Sequence, residues 1–237
     1  PAKIEEIHAI AEKYDIPVIE DAAEALGSMY RDRQVGANGD FGILSFNGNK
    51  IITTGGGGAL VGKDDALIEK ARFLATQARD PAPHYEHSEI GYNYRLSNVA
   101  AGIGRGQLEV LDEKVQRRRE IHQVYREALA GYDFIAFHDE PAGVRSNRWL
   151  TCITVEGARL QPMDLLKALE KENIEARPFW KPMHMQPVFR DALAYTNGVS
   201  EGLFGKGICL PSGSGMNDDD LERVISAIKA FLDEFRV

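Results

Sequence analysis

The sequence lacks any long apolar segment. None of its apolar runs approaches the roughly 18 residues that a membrane-spanning helix needs. Its first residues, Pro1-Ala-Lys-Ile-Glu-Glu-Ile-His, have neither the basic start nor the apolar core of a secretory signal peptide. We therefore expect neither a membrane span nor a membrane partner.

Cysteine and positive charge are also scarce. The 237 residues include two cysteines, Cys152 and Cys209, which lie in apolar runs without metal-ligand spacing. We expect both to be buried thiols, in keeping with the reducing cytoplasm. The net charge of −8 argues against nucleic acid as the main ligand. It does not exclude an anionic small molecule, because basic residues can dominate a pocket locally.

What the sequence does contain is a concentration of reactive and flexible residues in the segment 41–58. A short apolar run ends at Ser45, Lys50 follows five residues later, and two threonines and four glycines come next. Upstream, a second apolar run ends on the carboxylate of Asp21. An Asp and a Lys at two strand ends match the needs of pyridoxal 5′-phosphate (PLP). The carboxylate keeps the pyridine nitrogen protonated, and the amine forms an imine with the aldehyde.

Five motifs follow one another along the chain. They are Glu20-Asp-Ala-Ala-Glu-Ala-Leu-Gly-Ser28, Ser45-Phe-Asn-Gly-Asn-Lys50, Gly91-Tyr-Asn-Tyr-Arg-Leu-Ser-Asn98, Arg177-Pro-Phe-Trp-Lys-Pro-Met-His184 and Cys209-Leu-Pro-Ser-Gly-Ser214. In this order they resemble the DegT/DnrJ/EryC1/StrS family of PLP-dependent sugar aminotransferases, over essentially the whole chain. A lone Ser-x4-Lys motif would be weak, whereas five motifs in order are specific. Within the family the chain is most similar to the enzymes of the bacillosamine route that aminate C4 of UDP-4-keto-6-deoxy-N-acetylglucosamine.

The resemblance implies an α/β fold, that of the fold-type I PLP transferases related to aspartate aminotransferase. A large domain with a mainly parallel sheet would be followed by a small C-terminal α/β domain. In such proteins about the first third of the chain precedes the position that matches Pro1. That part supplies a turn for the cofactor phosphate and an aromatic ring that stacks on the pyridine. We therefore expect this chain to be a fragment without the N-terminal third.

The resemblance also assigns cofactor roles to five residues. Lys50 is the catalytic, imine-forming lysine, whose released amine would move a proton during transamination. Asp21 would pair with the pyridinium and Ser45 would donate a hydrogen bond to the phosphate. Asn93 would reach the phosphate of a partner subunit, which implies a homodimer with shared active sites. Glu24 stands where many relatives have Gln, and a carboxylate can donate to the cofactor's 3′-oxygen only when it is protonated.

Each of these residues also has an ordinary structural interpretation. Asp21 could cap the turn after its strand, as Asp commonly does. Lys50 could be a surface lysine, although the apolar Ile51 and Ile52 beside it argue against full exposure. The glycines Gly55–Gly58 resemble a phosphate-binding loop, but a strand pattern follows them where a P-loop requires a helix.

Candidates for substrate binding are basic residues near aromatic and proline positions. Arg148, Arg177, Lys181 and His184 could meet the diphosphate of a UDP-linked sugar, although they could equally be charged surface residues. The spacing in His84-Tyr-Glu-His87 could ligate a metal, but no third ligand is evident. We expect no metal.

The expected activity is transfer of an amino group from glutamate to a nucleotide-linked 4-keto-6-deoxy sugar, with PLP as the cofactor. Two alternatives stay open. A PLP-dependent sugar dehydratase shares the fold, but those relatives have histidine in place of the lysine. A non-catalytic regulator, or an inactive fragment, is the alternative from another class.

The pattern along the chain divides it at the middle of a long helix. Residues 1–116 would be the remainder of the PLP-binding domain, and residues 117–237 the linking helix with the small C-terminal domain. Helical spacing, caps and apolar runs predict helices at 4–14, 64–75, 97–129, 162–172 and 218–235, and strands at 18–19, 42–46, 59–62, 149–155 and 174–177.

Overall fold

The computed structural model of the protein describes residues 1–157 and 160–235. Within these ranges the helices and strands are, in chain order, α1 (Ile4–Lys13), β1 (Ile19–Asp21), β2 (Met29–Tyr30), β3 (Arg33–Gln34), β4 (Phe41–Ser45), β5 (Gly58–Gly62), α2 (Asp65–Ala75), α3 (Asn98–Leu108), α4 (Leu111–Ala128), β6 (Ile135–Phe137), β7 (Val144–Arg145), β8 (Thr151–Val155), α5 (Pro162–Lys171), β9 (Arg177–Pro178), α6 (Val199–Lys206), β10 (Gly207–Leu210) and α7 (Asp218–Leu232). Short 3-10 helices lie at Met183–Met185, Pro187–Phe189 and Asp233–Phe235. No helix among the described residues is long and apolar enough to cross a membrane.

The chain forms two compact units, and their boundary differs from a single cut between residues 116 and 117. The first unit comprises Pro1–Gln116 together with Glu140–Trp149, and the second comprises Arg117–Asp139 and Leu150–Val237. The segment Glu140–Trp149 belongs to the first unit because its strand β7 pairs with β2 as an antiparallel strand. A pattern that reads only neighbouring residues does not contain this long-range pairing.

The main sheet of the first unit has the strand order β1-β4-β5. Strands β1 and β4 are parallel, with Asp21 opposite Ile43, whereas β4 and β5 are antiparallel. Among the described residues, this sheet therefore has one parallel pair, β1 with β4, and β5 joins it in the antiparallel direction. The reason is the connection after β4: it is a glycine-rich loop without a helix, and a return to the same sheet edge in parallel needs a crossover, usually helical.

Local chemistry explains why the helices begin and end where they do. In α2 the carboxylate of Asp64 accepts hydrogen bonds from the backbone N–H groups of residues 66 and 67, an N-cap. In α7, Asn217 and Asp220 form a reciprocal capping box. The long helix predicted at 97–129 is instead two helices, α3 and α4, and α3 contains glycines 102, 104 and 106, which weaken helical propensity before the break.

The second unit contains the larger described core. Its antiparallel sheet has the order β6-β8-β10-β9, and α5 and α7 contribute to the apolar cluster beside it. The fully buried members with the largest side chains are Tyr125, Ile121, Leu129, Ile153, Leu165, Leu169, Ile208, Leu210, Ile228 and Leu232. Cys152 and Cys209 face each other on β8 and β10 with their Sγ atoms 3.9 Å apart.

The strand predicted at 174–177 is shorter in the structure, because the first residues of the predicted range belong to the turn that ends α5. Asn173 has a positive φ of 53°, and the N–H of Ile174 donates to the carbonyl of Leu169 at 2.9 Å. This return of the chain closes α5 in the manner of a left-handed cap. Only Arg177–Pro178 then remains as β9.

A buried anchor fixes the loop beside β1. The carboxylate of Glu20 accepts hydrogen bonds from the backbone N–H groups of Gly36, Asn38 and Gly39 at 3.0, 2.6 and 2.6 Å. Burial opposes ionisation of this carboxyl group, but the backbone donors outweigh it, so the pKa of Glu20 lies below its usual range. Gly36 has a φ of +92°, which favours glycine at this turn.

We predict that Glu20→Gln destabilises the first unit. A carboxylate that accepts three backbone donors cannot be replaced by an amide without loss, and about 1–3 kcal/mol is expected at neutral pH. Because the folded pKa is lowered, this stabilisation is present above the unfolded carboxyl pKa of about 4.3 and is lost as the pH falls through the folded value. Urea unfolding at pH 7 and in the acid range measures it.

Glu12→Gln is the matched control, because Glu12 is an exposed carboxylate on α1. At pH 7 the Glu20 variant should have a lower urea midpoint of unfolding than this control. The difference between the two midpoints should become smaller as the pH is lowered. Equal midpoints for the two variants at pH 7 would contradict the anchoring role.

Candidate active site

The carboxyl ends of β1 and β4 place two predicted cofactor residues at one edge of the sheet. Asp21 is the last residue of β1 and Ser45 is the last residue of β4, and the two strands are adjacent and parallel. Ligands bind at this edge in open α/β sheets. Asp21 also accepts a hydrogen bond from the N–H of Ala23 at 3.2 Å, so its turn-forming interpretation and its exposed position at the edge coexist.

Lys50 lies in the loop after β4, and its amine points at a carboxylate. Its Nζ donates to Oε1 of Glu24 at 3.0 Å, and its side chain is only 12% exposed against 48% for Glu24. Ile51 and Ile52, which follow it, are both buried. The expectation that Lys50 is not fully exposed is confirmed.

Two residues of this site carried no signal in the sequence. The ring of Trp149 covers the Lys50 amine, with Nζ 4.5 Å from the ring centroid. The side chain of Asn147, which is 3% exposed, donates from Nδ2 to the carbonyls of Glu24 and Leu26, both at 2.9 Å. About a hundred positions separate these residues from their partners, so local pattern could not reveal them.

The glycine-rich segment closes the loop tightly around the strand end. Gly55 and Gly57 have φ values of +80° and +90°, and a Cβ on Gly58 would lie 2.3 Å from the carbonyl oxygen of Leu44. Glycine is therefore required for close backbone approach. Strand β5 begins at Gly58, where a phosphate-binding P-loop would continue as a helix.

One further residue stabilises this loop. The amide of Gln107 on α3 bonds Thr53 in both directions: its Oε1 accepts from the N–H of Thr53 at 3.2 Å, and its Nε2 donates to the carbonyl. The amide thus uses an acceptor and a donor on the same residue of the loop. Gln107 was not among the sequence-predicted site residues.

Asn93 lies on a different part of the first unit. It forms an isolated antiparallel bridge with Thr76 and is exposed, and it is flanked by the stacked rings of Tyr92 and Tyr94, whose centroids are 5.0 Å apart. Its side chain lines a cavity of about 570 Å³. The predicted role across a subunit interface stays a prediction.

The four basic substrate candidates belong to different units. Arg148 is in the first unit, where its Nε lies 3.7 Å from the Glu140 carboxylate and its φ is +48°. In the second unit, Nε of Arg177 donates to Glu175 at 2.7 Å, while Lys181 is exposed. Their substrate role stays a prediction.

The fourth candidate, His184, forms an ion pair. Its Nε2 lies 2.7 Å from Oε1 of Glu201. The backbone N–H of Glu201 contributes most to lowering the pKa of this carboxyl group; burial opposes the shift, and the His184 contact lowers the pKa further. His184 is therefore held in place by a charged partner before any ligand arrives.

The histidines that could have suggested a metal have other partners. His84 lies 3.1 Å from the Glu86 carboxylate, and Nδ1 of His87 lies 2.8 Å from the carbonyl oxygen of Gln77. In the part of the chain that the structure describes, no group of three or more His, Cys, Asp or Glu side chains is placed to hold a metal ion.

The donor set at the sheet edge fits PLP in those parts that this chain supplies. An amine, a carboxylate and a hydroxyl are the groups that meet the aldehyde, the pyridine nitrogen and the phosphate of that cofactor, and here they are Lys50, Asp21 and Ser45. Glu24 occupies the space next to the amine.

Comparison with known proteins finds relatives over nearly the whole chain. Residues 1–229 match the DegT/DnrJ/EryC1/StrS aminotransferase family. The chain is 57% identical over 231 residues to the putative pyridoxal phosphate-dependent aminotransferase EpsN of Bacillus subtilis (strain 168), a match that covers 96% of this chain and 59% of that protein. It is 35% identical over 234 residues to the GDP-perosamine synthase of Vibrio cholerae, which covers 96% and 62%. The chain thus spans about three fifths of the length of these relatives.

Solved structures show the same fold. The aminotransferase TlmJ from Streptoalloteichus hindustanus superposes with a TM-score of 0.91 at 28% sequence identity, over 99% of this chain and 63% of that one. This likeness confirms the predicted fold class, an α/β fold of the aminotransferase type. With a family match over nearly its whole length and the expected lysine and aspartate at the sheet edge, the chain belongs to the DegT/DnrJ/EryC1/StrS aminotransferase family.

Proposed function

We propose that the protein is a PLP-dependent aminotransferase that moves an amino group from glutamate to a nucleotide-linked 4-keto-6-deoxy sugar. The observation that carries this proposal is the Lys50 amine, which is largely shielded from solvent beside Glu24 at the sheet edge where Asp21 and Ser45 end their strands. Family membership supports the aminotransferase class.

Three residues of the chain, namely Lys50, Asp21 and Ser45, each have a defined task in this reaction. PLP, when bound, supplies an electron-withdrawing ring that stabilises negative charge on the carbon attached to the amino group. Lys50 would hold the cofactor by its aldehyde and, once released, would move a proton between that carbon and the cofactor. The carboxylate of Asp21 holds the proton on the ring nitrogen, and the Ser45 hydroxyl donates to the phosphate.

The sugar substrate is proposed at two levels of detail. A nucleotide-linked sugar is supported by the similarity to a protein named GDP-perosamine synthase. We propose UDP-4-keto-6-deoxy-N-acetylglucosamine in particular, with amination at C4. Arg148, Arg177, Lys181 and His184 are the proposed contacts for the diphosphate, because guanidinium and other basic groups match phosphate oxygens.

We further propose a homodimer with shared active sites and a cytoplasmic location. Asn93 is exposed, which leaves its amide accessible to a second subunit. Exposed apolar side chains close to it in sequence are Tyr85, Ile90, Tyr92, Tyr94 and Val99. Several exposed apolar side chains in one stretch of the chain support a protein contact. The thiols of Cys152 and Cys209, which form no disulfide, support a reducing compartment.

The first test is an absorption spectrum of the complete gene product with PLP. We expect the absorption band of covalently bound cofactor, its loss on adding glutamate and its return on adding UDP-4-keto-6-deoxy-N-acetylglucosamine. Lys50→Ala should lack the band, and borohydride treatment should attach the cofactor to Lys50 in the wild type. Lys13→Ala, which removes an exposed lysine on α1, is the control and should behave as the wild type.

The other outcomes identify the alternatives. If glutamate leaves the absorption band unchanged, the protein either uses another amino donor or is a sugar dehydratase. A complete gene product that binds no PLP, and shows the same featureless spectrum as Lys50→Ala, would be a non-catalytic protein and would end the enzyme proposal.

Subunit sharing predicts complementation. Lys50→Ala removes the nucleophile, and Asn93→Asp places a negative charge where a phosphate would bind, so each variant alone should be nearly inactive. When the two are mixed and allowed to exchange subunits, hybrid dimers should contain one intact site and recover activity. The activity of the mixture, measured against each parent, is the readout. A mixture no more active than its parents would show that each site is built within one subunit.

A further inference from the structure

The Lys50 amine lies between two groups that both stabilise a cation. Oxygen Oε1 of Glu24 is 3.0 Å away on one side, and the Trp149 ring centroid is 4.5 Å away on another. A carboxylate attracts the ammonium by charge, and an indole face attracts it through its quadrupole. Since 12% of the lysine side chain is exposed, these two groups replace most of the water that a lysine normally keeps.

Hydrogen bonds connect the Trp149 ring and the backbone of Glu24 to neighbouring residues of the first unit. The indole Nε1 of Trp149 donates to the carbonyl of Asn49 at 2.7 Å, and the backbone N–H of Trp149 donates to Oδ1 of Asn147 at 2.9 Å. The Nδ2 of the same asparagine donates to the backbone carbonyl of Glu24 at 2.9 Å. The Trp149 ring and the backbone of Glu24 are therefore connected through Asn147, on either side of the amine.

We propose that Glu24 and Trp149 are positioning residues that form a seat for the free amine of Lys50. This inference rests on the proposed function, in which the lysine is released from the cofactor during half of the catalytic cycle. In that half a long side chain with four rotatable bonds would otherwise disperse over many rotamers. The seat keeps the amine at the sheet edge, from where it can act as a base and later as a nucleophile.

The chemistry of position 24 is part of the inference. Glutamine there could accept a hydrogen bond from the amine, but it would offer no negative charge. With glutamate, the chain provides a counter-ion to the ammonium that Lys50 becomes when it carries the proton. Glu24 thus acts on Lys50, in place of the donation to the cofactor oxygen that an amide would make.

The test measures the reactivity of Lys50 in the ligand-free, complete gene product. A water-soluble acetylating reagent is applied at low dose, and peptide mass spectrometry gives the acetylation rate of Lys50 relative to exposed Lys13 in the same molecule. We expect this ratio to rise about threefold to tenfold in Glu24→Gln and in Trp149→Leu, the range that ion-pair and cation–π energies of this size correspond to. Trp149→Phe retains an aromatic face and should change the ratio less than Trp149→Leu.

The proposal is contradicted if the acetylation rate of Lys50 relative to Lys13 is unchanged in all three variants, Glu24→Gln, Trp149→Phe and Trp149→Leu. If Trp149→Leu does not fold, Glu24→Gln decides alone, because Glu24 is half exposed and tolerates the change. A merely structural role of Trp149 would lower the melting temperature and raise the labelling of all lysines together. Failure of the proposed function would appear as absent cofactor attachment and leave the labelling ratio as predicted here.

A fluorescence measurement gives an independent readout. The sequence has two tryptophans, so Trp180→Phe leaves Trp149 as the sole indole emitter. In that background, Lys50→Met removes the cation from the ring face and should change the Trp149 emission, whereas Lys13→Met should not. Identical emission with and without the Lys50 amine would contradict its place over the ring.

Discussion

The constraint on which the site depends is the burial of one positive charge. The Lys50 side chain is 12% exposed, and an amine that loses most of its water needs a carboxylate and other polar or aromatic neighbours in compensation. Glu24 provides the charge and Trp149 provides a ring face. Trp149 can do so because Glu140–Trp149 joins the first unit by pairing with β2, although its chain neighbours on both sides belong to the second. The placement of this segment thus brings an aromatic ring to the amine of Lys50.

The sheet contributes to the same site with a single parallel pair. Parallel pairing brings the carboxyl ends of β1 and β4 to one edge, which sets Asp21 and Ser45 side by side. The antiparallel return of β5 then covers β4 with glycine, since a side chain at Gly58 would collide with the carbonyl of Leu44. The loop between the two strands, which carries Lys50, is held at its far end by Gln107. Among the described residues, one parallel strand pair and one tight loop therefore position Asp21, Ser45 and the segment that carries Lys50.

Sequence reasoning recovered what depends on neighbouring residues. Helix α1 follows from apolar spacing, and the strands that end at Asp21 and Ser45 follow from short apolar runs. The direction of β5, the excursion of Glu140–Trp149 and the ring over Lys50 did not follow, because each depends on contacts between distant parts of the chain. Trp149 and Asn49 are 100 positions apart. A hydrogen bond over that separation leaves no periodic trace in the sequence, so only the folded chain reveals it.

The unequal exposure of the two charges explains how such a site can work repeatedly. A fully buried ion pair is difficult to separate, because either partner would be left charged and without water. Here the amine is shielded while the Glu24 carboxylate is 48% exposed and keeps much of its hydration. In the proposed reaction Lys50 would leave to bind a cofactor aldehyde while the carboxylate stays solvated, and the pair would re-form at little desolvation cost to the carboxylate when the amine returns. An exposed carboxylate facing a shielded amine therefore holds the lysine without trapping it.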